Sequence, residues 1–495
     1  MPGRDQRSTY APGGRTLTDW RPEEPAFWAA GADRVARRNL VWSIFAEHLG
    51  FSVWLMWSVS SAYLMSMGFD FTAQELFLVV AAPNLLGSLL RLPYTFAVPR
   101  FGGRTWTTIS ALLLLVPTLL FAFFVQRPGT PLWVFVVIAA TAGLGGGNFA
   151  SSMANINFFY PAARKGAALG LNAAGGNLGV ALIQLFLPVL VGGAGLFGLV
   201  AAGDGGIHLE RAAWLYAALA VVAAVGAWFG MNNLTVASAR PRESLAVLRH
   251  RHTWVVSFLY LGTFGSFIGF SAAMPLLIRT SFWVPGGGPA GTGVQFAYWA
   301  FIGALVGSIA RPLGGWLADR YGGARVTAWS FVGMGAGAVA VLWVLGRLAD
   351  NPGQAATIAE ANQAWFAPFL LAFLVIFAAS GIGNGSTYRM IPLIWAREAR
   401  RIGADGSPQR AAAVAQATRN ASAVIGIAGS IGALGGFLIP LSFAAPWVAD
   451  PAAAVRGAFA VFLGFYVLCL LVTWFVYTRR TFLVSRLPSL AEARV

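Results

Sequence analysis

The 495-residue sequence has one cysteine, Cys469, and only four histidines. A lone cysteine excludes an intramolecular disulfide and any cysteine-based metal centre, and no histidine-rich cluster offers a metal another home. Charge is equally scarce. Asp, Glu, Lys and Arg make up 11% of the chain against 57% hydrophobic residues, with a mean hydropathy of +0.66. That balance excludes an ordinary soluble globular domain. No nucleophile–base constellation or metal-ligand set stands out, so neither an enzyme nor a cofactor is expected. The first 38 residues are too polar and acidic for a cleavable signal peptide.

What the sequence has in quantity is apolar runs of twenty or more residues, long enough to cross about 30 Å of hydrocarbon. They predict an all-α membrane protein of twelve spans. The first six lie near 39–67, 74–98, 105–125, 132–160, 166–198 and 211–231. The second six lie near 254–279, 293–318, 325–348, 365–395, 412–443 and 454–478. The chain divides into an N-terminal tail (1–38), a six-helix half (39–231), a charged linker (232–253), a second six-helix half (254–478) and a C-terminal tail (479–495). Trp20, Pro22, Pro25, Phe27 and Trp28 are expected to fold the first tail against the bundle. The net charge of +16 would suggest nucleic acid in a soluble protein. Here the Lys and Arg residues cluster in alternate loops and both tails. This is the positive-inside pattern, which sets topology with both termini cytoplasmic and leaves no reason to expect nucleic acid.

The halves repeat each other. Gly87, Ser88, Arg91, Arg100, Gly102, Gly103 and Thr107 recur at constant spacing as Gly307, Ser308, Arg311, Arg320, Gly322, Gly323 and Thr327. Gly143, Gly145 and Gly147 likewise match Gly381, Gly383 and Gly385. Parallel six-helix repeats with a site between them are the layout of rocker-switch transporters. Arg91 and Arg311 stand inside apolar segments at matched depth, where a guanidinium costs at least about 3 kcal/mol. Such a pair suggests a buried site for something negatively charged; snorkelling toward the headgroups is the plain alternative. The loops 98–107 and 317–327 join a tight glycine turn to charged residues, among them Arg100, Arg104, Asp319 and Arg320. These loops resemble the signature loops of the major facilitator superfamily, and the resemblance implies that they staple helices on the cytoplasmic side and hold a gate closed, without touching substrate.

Spans 4 and 5 carry N-F-A-S-S-M-A-N-I (148–156) and A-L-G-L-N-A-A-G-G-N-L-G-V (168–180), and span 11 carries G-I-A-G-S-I-G-A-L-G-G (426–436). On these motifs, and from T-D-W-R-P-E-E-P-A-F-W (18–28) to the last span, the chain resembles the nitrate/nitrite porters of the major facilitator superfamily, of the bacterial NarK type. The resemblance implies a multi-pass protein of the bacterial inner membrane, monomeric, whose partners are nitrate, nitrite and the lipid bilayer. It implies that Arg91 and Arg311 bind the anion, that Phe149 and Phe264 sandwich it, and that Tyr260 bonds an oxygen. Asn172 and Ser430 stand in the family's two glycine-rich nitrate signatures and are carried over as substrate-binding residues. Nitrate and nitrite are flat monoanions suited to the planar fork of Arg, and aromatic faces select them over tetrahedral anions. Two guanidiniums exceed the charge of one monoanion, which favours obligatory exchange: nitrate in, nitrite out.

One feature departs from the family. Glu47 and His48 stand side by side in the first span, and an embedded carboxyl is a functional hypothesis by default. Proton coupling through Glu47, aided by His48, would make the protein a proton–nitrate symporter. The structural alternative is that Glu47 pairs with a span arginine or faces a wet vestibule. Arg389 stands nearer a span end and is expected to snorkel or contact a gate.

Overall fold

The computed structural model describes residues 15–192, 206–235, 246–284, 292–349, 361–400, 402–403, 407–445, 447–480 and 490. It contains twelve helices long and apolar enough to cross a membrane. In the first half these are α1 (Pro25–Leu64), α2 (Ala73–Phe101), α3 (Gly103–Phe124), α4 (Leu132–Phe159), α5 (Ala163–Leu190) and α6 (Leu209–Gly230). In the second they are α7 (Arg251–Phe282), α8 (Phe296–Tyr321), α9 (Gly323–Leu345), α10 (Phe366–Arg400), α11 (Pro408–Ala444) and α12 (Pro451–Thr478). Residues 193–198 of the fifth expected span, 236–245 of the linker, 1–14 of the first tail and most of the C-terminal tail lie outside the described residues.

The first helix starts well before its apolar run. Pro25 occupies the first helical position, where its missing N–H costs nothing, and one π-turn at Trp28–Ala32 carries the helix into the bundle. The expected tail residues Trp20 and Trp28 find partners: the Trp20 Nε1 donates to the Phe158 carbonyl at 3.0 Å, and Trp28 packs on Tyr160. Thr16–Leu17 pairs in parallel with Asn233–Leu234, tying the segment before α1 to the end of α6.

The sequence repeat is a structural repeat. Gly102 and Gly322 take φ values of +84° and +92° at the turns after α2 and α8, a left-handed region that favours glycine. A Cβ on Gly143 would strike the Gly87 backbone, and one on Gly381 would strike the Gly307 carbonyl, so α2 meets α4 as α8 meets α10. The halves meet through α2 with α11 and α5 with α8. Ser430 Oγ donates to the Ser88 carbonyl at 2.6 Å, and Ser308 Oγ to the Asn177 carbonyl at 3.3 Å. Away from the termini the halves are sealed by Arg279–Ser66 (2.8 Å), Gln74 to the Val448 carbonyl (3.0 Å), and the Tyr63–Phe296 ring pair. At the end that carries the termini, Asn157 donates to Ser422 at 3.4 Å.

Candidate functional site

Arg91 and Arg311, from α2 and α8, sit in the middle of the bundle at 0% and 6% exposure. Arg91 is held from both halves. Its Nε donates to the Gly146 carbonyl of α4 at 3.1 Å, and its Nη1 to the Gly429 carbonyl of α11 at 2.9 Å. Both acceptors belong to glycine-dense stretches, where the helices come close enough for a backbone carbonyl to serve; Nη2 is left buried and unpartnered. Arg311 makes no side-chain hydrogen bond among the described residues, and its Nη1 is also buried without a partner.

Phe149 of α4 lies beside both guanidiniums, and Phe264 of α7 lies beside that of Arg91. Their rings are nearly parallel, 20° apart in plane, with centroids 6.5 Å apart. Two van der Waals contacts need about 7–8 Å, so at 6.5 Å the nearly parallel rings must part slightly to admit a flat group between them. The Arg91 guanidinium lies 4.9 Å from the Phe149 centroid and 5.0 Å from that of Phe264, while Arg311 lies 5.5 Å from Phe149. Tyr260, one turn before Phe264, stacks on it at 5.3 Å with its hydroxyl buried and unpartnered. A buried donor left unmade costs about 1–3 kcal/mol, so several around one slot mark a place for an acceptor.

Tyr388 of α10 joins this group and was not singled out from the sequence. Its ring lies 5.6 Å from the Arg311 guanidinium and 6.2 Å from Tyr260, and its hydroxyl is buried without a partner. The sequence carried a faint signal. Extending the glycine pairing of spans 4 and 10 puts Phe149 opposite Thr387, next to Tyr388, but the adjacent Arg389 drew attention by its charge. Asn384, one turn before Tyr388, likewise keeps both side-chain polar atoms buried and unpartnered.

Other expected site residues are engaged elsewhere. Asn172 directs its amide nitrogen to Glu47 Oε2 (2.7 Å) and Ser152 Oγ (2.5 Å), leaving only its acceptor oxygen free, which an anion would repel. The Ser430 hydroxyl is spent on the Ser88 carbonyl, although its neighbour Gly429 holds Arg91. Glu47 is fully buried and also accepts from Ser152 Oγ; it forms no ion pair among the described residues. His48 turns away from it to the Gly175 carbonyl at 3.1 Å, because adjacent residues leave a helix about 100° apart.

The loop charges separate as well. Asp319 pairs with Arg389 at 2.5 Å and not with its neighbour Arg320, since a residue on the facing helix is within reach and a sequence neighbour points away. Arg104 lies 4.1 Å from the Trp228 ring, while Arg100 and Arg320 are exposed. The Asp319–Arg389 and Arg104–Trp228 contacts each stay within one half.

Known proteins share this architecture. A family model of the Major Facilitator Superfamily matches residues 40–440. The chain is 40% identical over 474 residues to the nitrate/nitrite transporter NarU of Salmonella typhimurium, covering 94% of this chain and 96% of that one. It is 34% identical over 477 residues to a probable nitrate/nitrite antiporter, NarK2, of Thermus thermophilus, covering 94% and 97%. The solved structure of a D-xylose-proton symporter shares the fold with a TM-score of 0.60 at 15% identity, over 88% of this chain and 96% of that one.

Proposed function

Because the chain belongs to the nitrate/nitrite porters of the major facilitator superfamily, we propose that it imports nitrate and exports nitrite across the bacterial inner membrane. One observation carries the reading: two buried guanidiniums, each with an unpartnered N–H, lie against a pair of nearly parallel aromatic rings that need part only slightly to admit a flat ion. A planar monoanion satisfies those donors and lies between the rings; a tetrahedral oxyanion is too thick for the slot. Tyr260 and Tyr388 donate to its remaining oxygens. The halves then tilt around the filled site, with both termini in the cytoplasm as the basic loops direct.

Asp319–Arg389 and the Arg104–Trp228 contact stiffen one end of each half. They help each half to tilt as a unit rather than latching one half to the other. The protein works as a monomer, since one chain supplies every group around the slot.

Labelled nitrate should enter proteoliposomes loaded with nitrite, and the same vesicles should exclude sulfate and phosphate. Uptake of sulfate at a rate comparable with nitrate would refute the flat-anion slot. Tyr388→Phe removes one hydroxyl donor worth about 1 kcal/mol, so nitrate affinity should fall about fivefold with folding intact. An unchanged affinity on calorimetric titration would remove Tyr388 from the site.

A further inference from the structure

Beside the slot lies a charge that the arginine pair does not explain. The Glu47 carboxyl is fully buried on α1, with Oε2 accepting from Ser152 and Asn172 and Oε1 buried without any partner. A Cβ on Gly176 would strike Oε1, so the glycine of α5 is what admits the group. The neutral residues Ser152 and Asn172 face it from α4 and α5. Arg91 of α2, Arg311 of α8 and Tyr388 of α10 act on it electrostatically without forming an ion pair among the described residues. Tyr260 of α7 faces the arginines, Tyr216 of α6 is engaged with Ser52, and His48 is turned to the Gly175 carbonyl. No cation is dedicated to this carboxyl, so its charge is counted with the site.

Two guanidiniums holding a monoanion carry one net positive charge, whereas the empty pair carries two. With Glu47 ionised, the empty site carries one. A loaded site with Glu47 protonated and an empty site with Glu47 ionised therefore present the same charge to the closing halves. We propose, resting on the anion-carrier reading above, that Glu47 makes this protein a proton-coupled importer as well as an exchanger. The carboxylate takes a proton from the outer water as the anion binds and releases it inside with the anion. The carrier then returns empty with Glu47 ionised. One proton accompanies each anion, no net charge moves, and no redox step is involved. Nitrate/nitrite exchange survives as the partial cycle in which Glu47 stays protonated throughout.

The test compares wild type, Glu47→Gln and Glu47→Asp in proteoliposomes. One arm measures nitrate uptake into nitrite-loaded vesicles at equal pH. The other measures nitrate uptake into nitrite-free vesicles under an inward proton gradient at clamped potential, with a pH dye inside. Wild type should do both, acidifying the lumen by one proton per nitrate. Glu47→Gln, a mimic of the protonated state, should keep exchange and lose gradient-driven uptake to the protein-free background. Glu47→Asp should retain both. Gradient-driven uptake in Glu47→Gln, its absence in wild type that still exchanges, or loss of exchange in Glu47→Gln would each overturn the coupling role. Wild type inert in both arms would instead bring down the carrier reading, and this inference with it.

Discussion

Arg91→Lys and Arg311→Lys should each lower nitrate affinity by at least about 100-fold, which corresponds to about 3 kcal/mol of charge-assisted, two-pronged hydrogen bonding that an ammonium does not reproduce. The two variants should differ in what else they lose. Arg91 ties the halves together through the carbonyls of Gly146 and Gly429, and its Cζ lies 5.3 Å from the Trp54 ring. A lysine there reaches one acceptor at most, leaving a buried carbonyl without its donor. Its melting temperature should therefore fall together with binding. Arg311 makes no side-chain hydrogen bond among the described residues, so Arg311→Lys should bind poorly while melting close to wild type. Calorimetric titration and a thermal melt on each variant separate the two effects. Near-normal affinity in either would remove that arginine from the anion site.

Gly145→Val should abolish transport, whereas Gly170→Ala should leave it intact, although both are glycines in apolar helices of one half. At the first position α1 and α4 touch backbone to backbone. A Cβ on Gly50 would lie 2.9 Å from the Gly145 carbonyl, and one on Gly145 would strike the Gly50 carbonyl and come within 2.9 Å of Leu114. A branched side chain there adds about 2–3 kcal/mol of overpacking. It also pushes α4 outward at the turn that carries the Gly146 carbonyl and Phe149. Gly170 has nothing within 4 Å of its would-be Cβ, and alanine in a helix interior is worth about 0.5–1 kcal/mol over glycine. Gly170→Ala should transport normally and melt slightly higher. Loss of transport there, or normal transport in Gly145→Val, would contradict the packing account.

Much of the fold was readable from the order of residues because it rests on long-period signals. Hydropathy placed the twelve spans, and the paired glycines and arginines related the halves. The same repeat put Gly102 and Gly322 at equivalent turns, where both take a positive φ. Partner choice was not readable, since it depends on which helix faces meet. Glu47 and His48 are neighbours in sequence, yet one turns to Ser152 and Asn172 and the other to the Gly175 carbonyl. Asp319 stands next to Arg320 but reaches Arg389 on α10. Locally tightened turns at Ala142 and Gly147 in α4 and at Leu434 in α11, with ψ of −19°, −26° and −24°, are likewise not encoded in hydropathy. The glycine-rich stretch of α5, expected to serve the anion, packs instead on α1, around Ile44, Glu47 and the His48 carbonyl. That of α11 does border the slot, with Gly429 holding Arg91 and Gly432 against Tyr260.

The proposed transport cycle requires a flat monoanion between Phe149 and Phe264, held by both arginines. Competition titration on the purified wild-type protein addresses it most directly, with nitrate as the reference ligand and nitrite, sulfate and phosphate as competitors. One nitrate per chain is expected, with full displacement by nitrite and none by sulfate or phosphate. Displacement by sulfate at concentrations similar to nitrite, or more than one equivalent nitrate site, would contradict it.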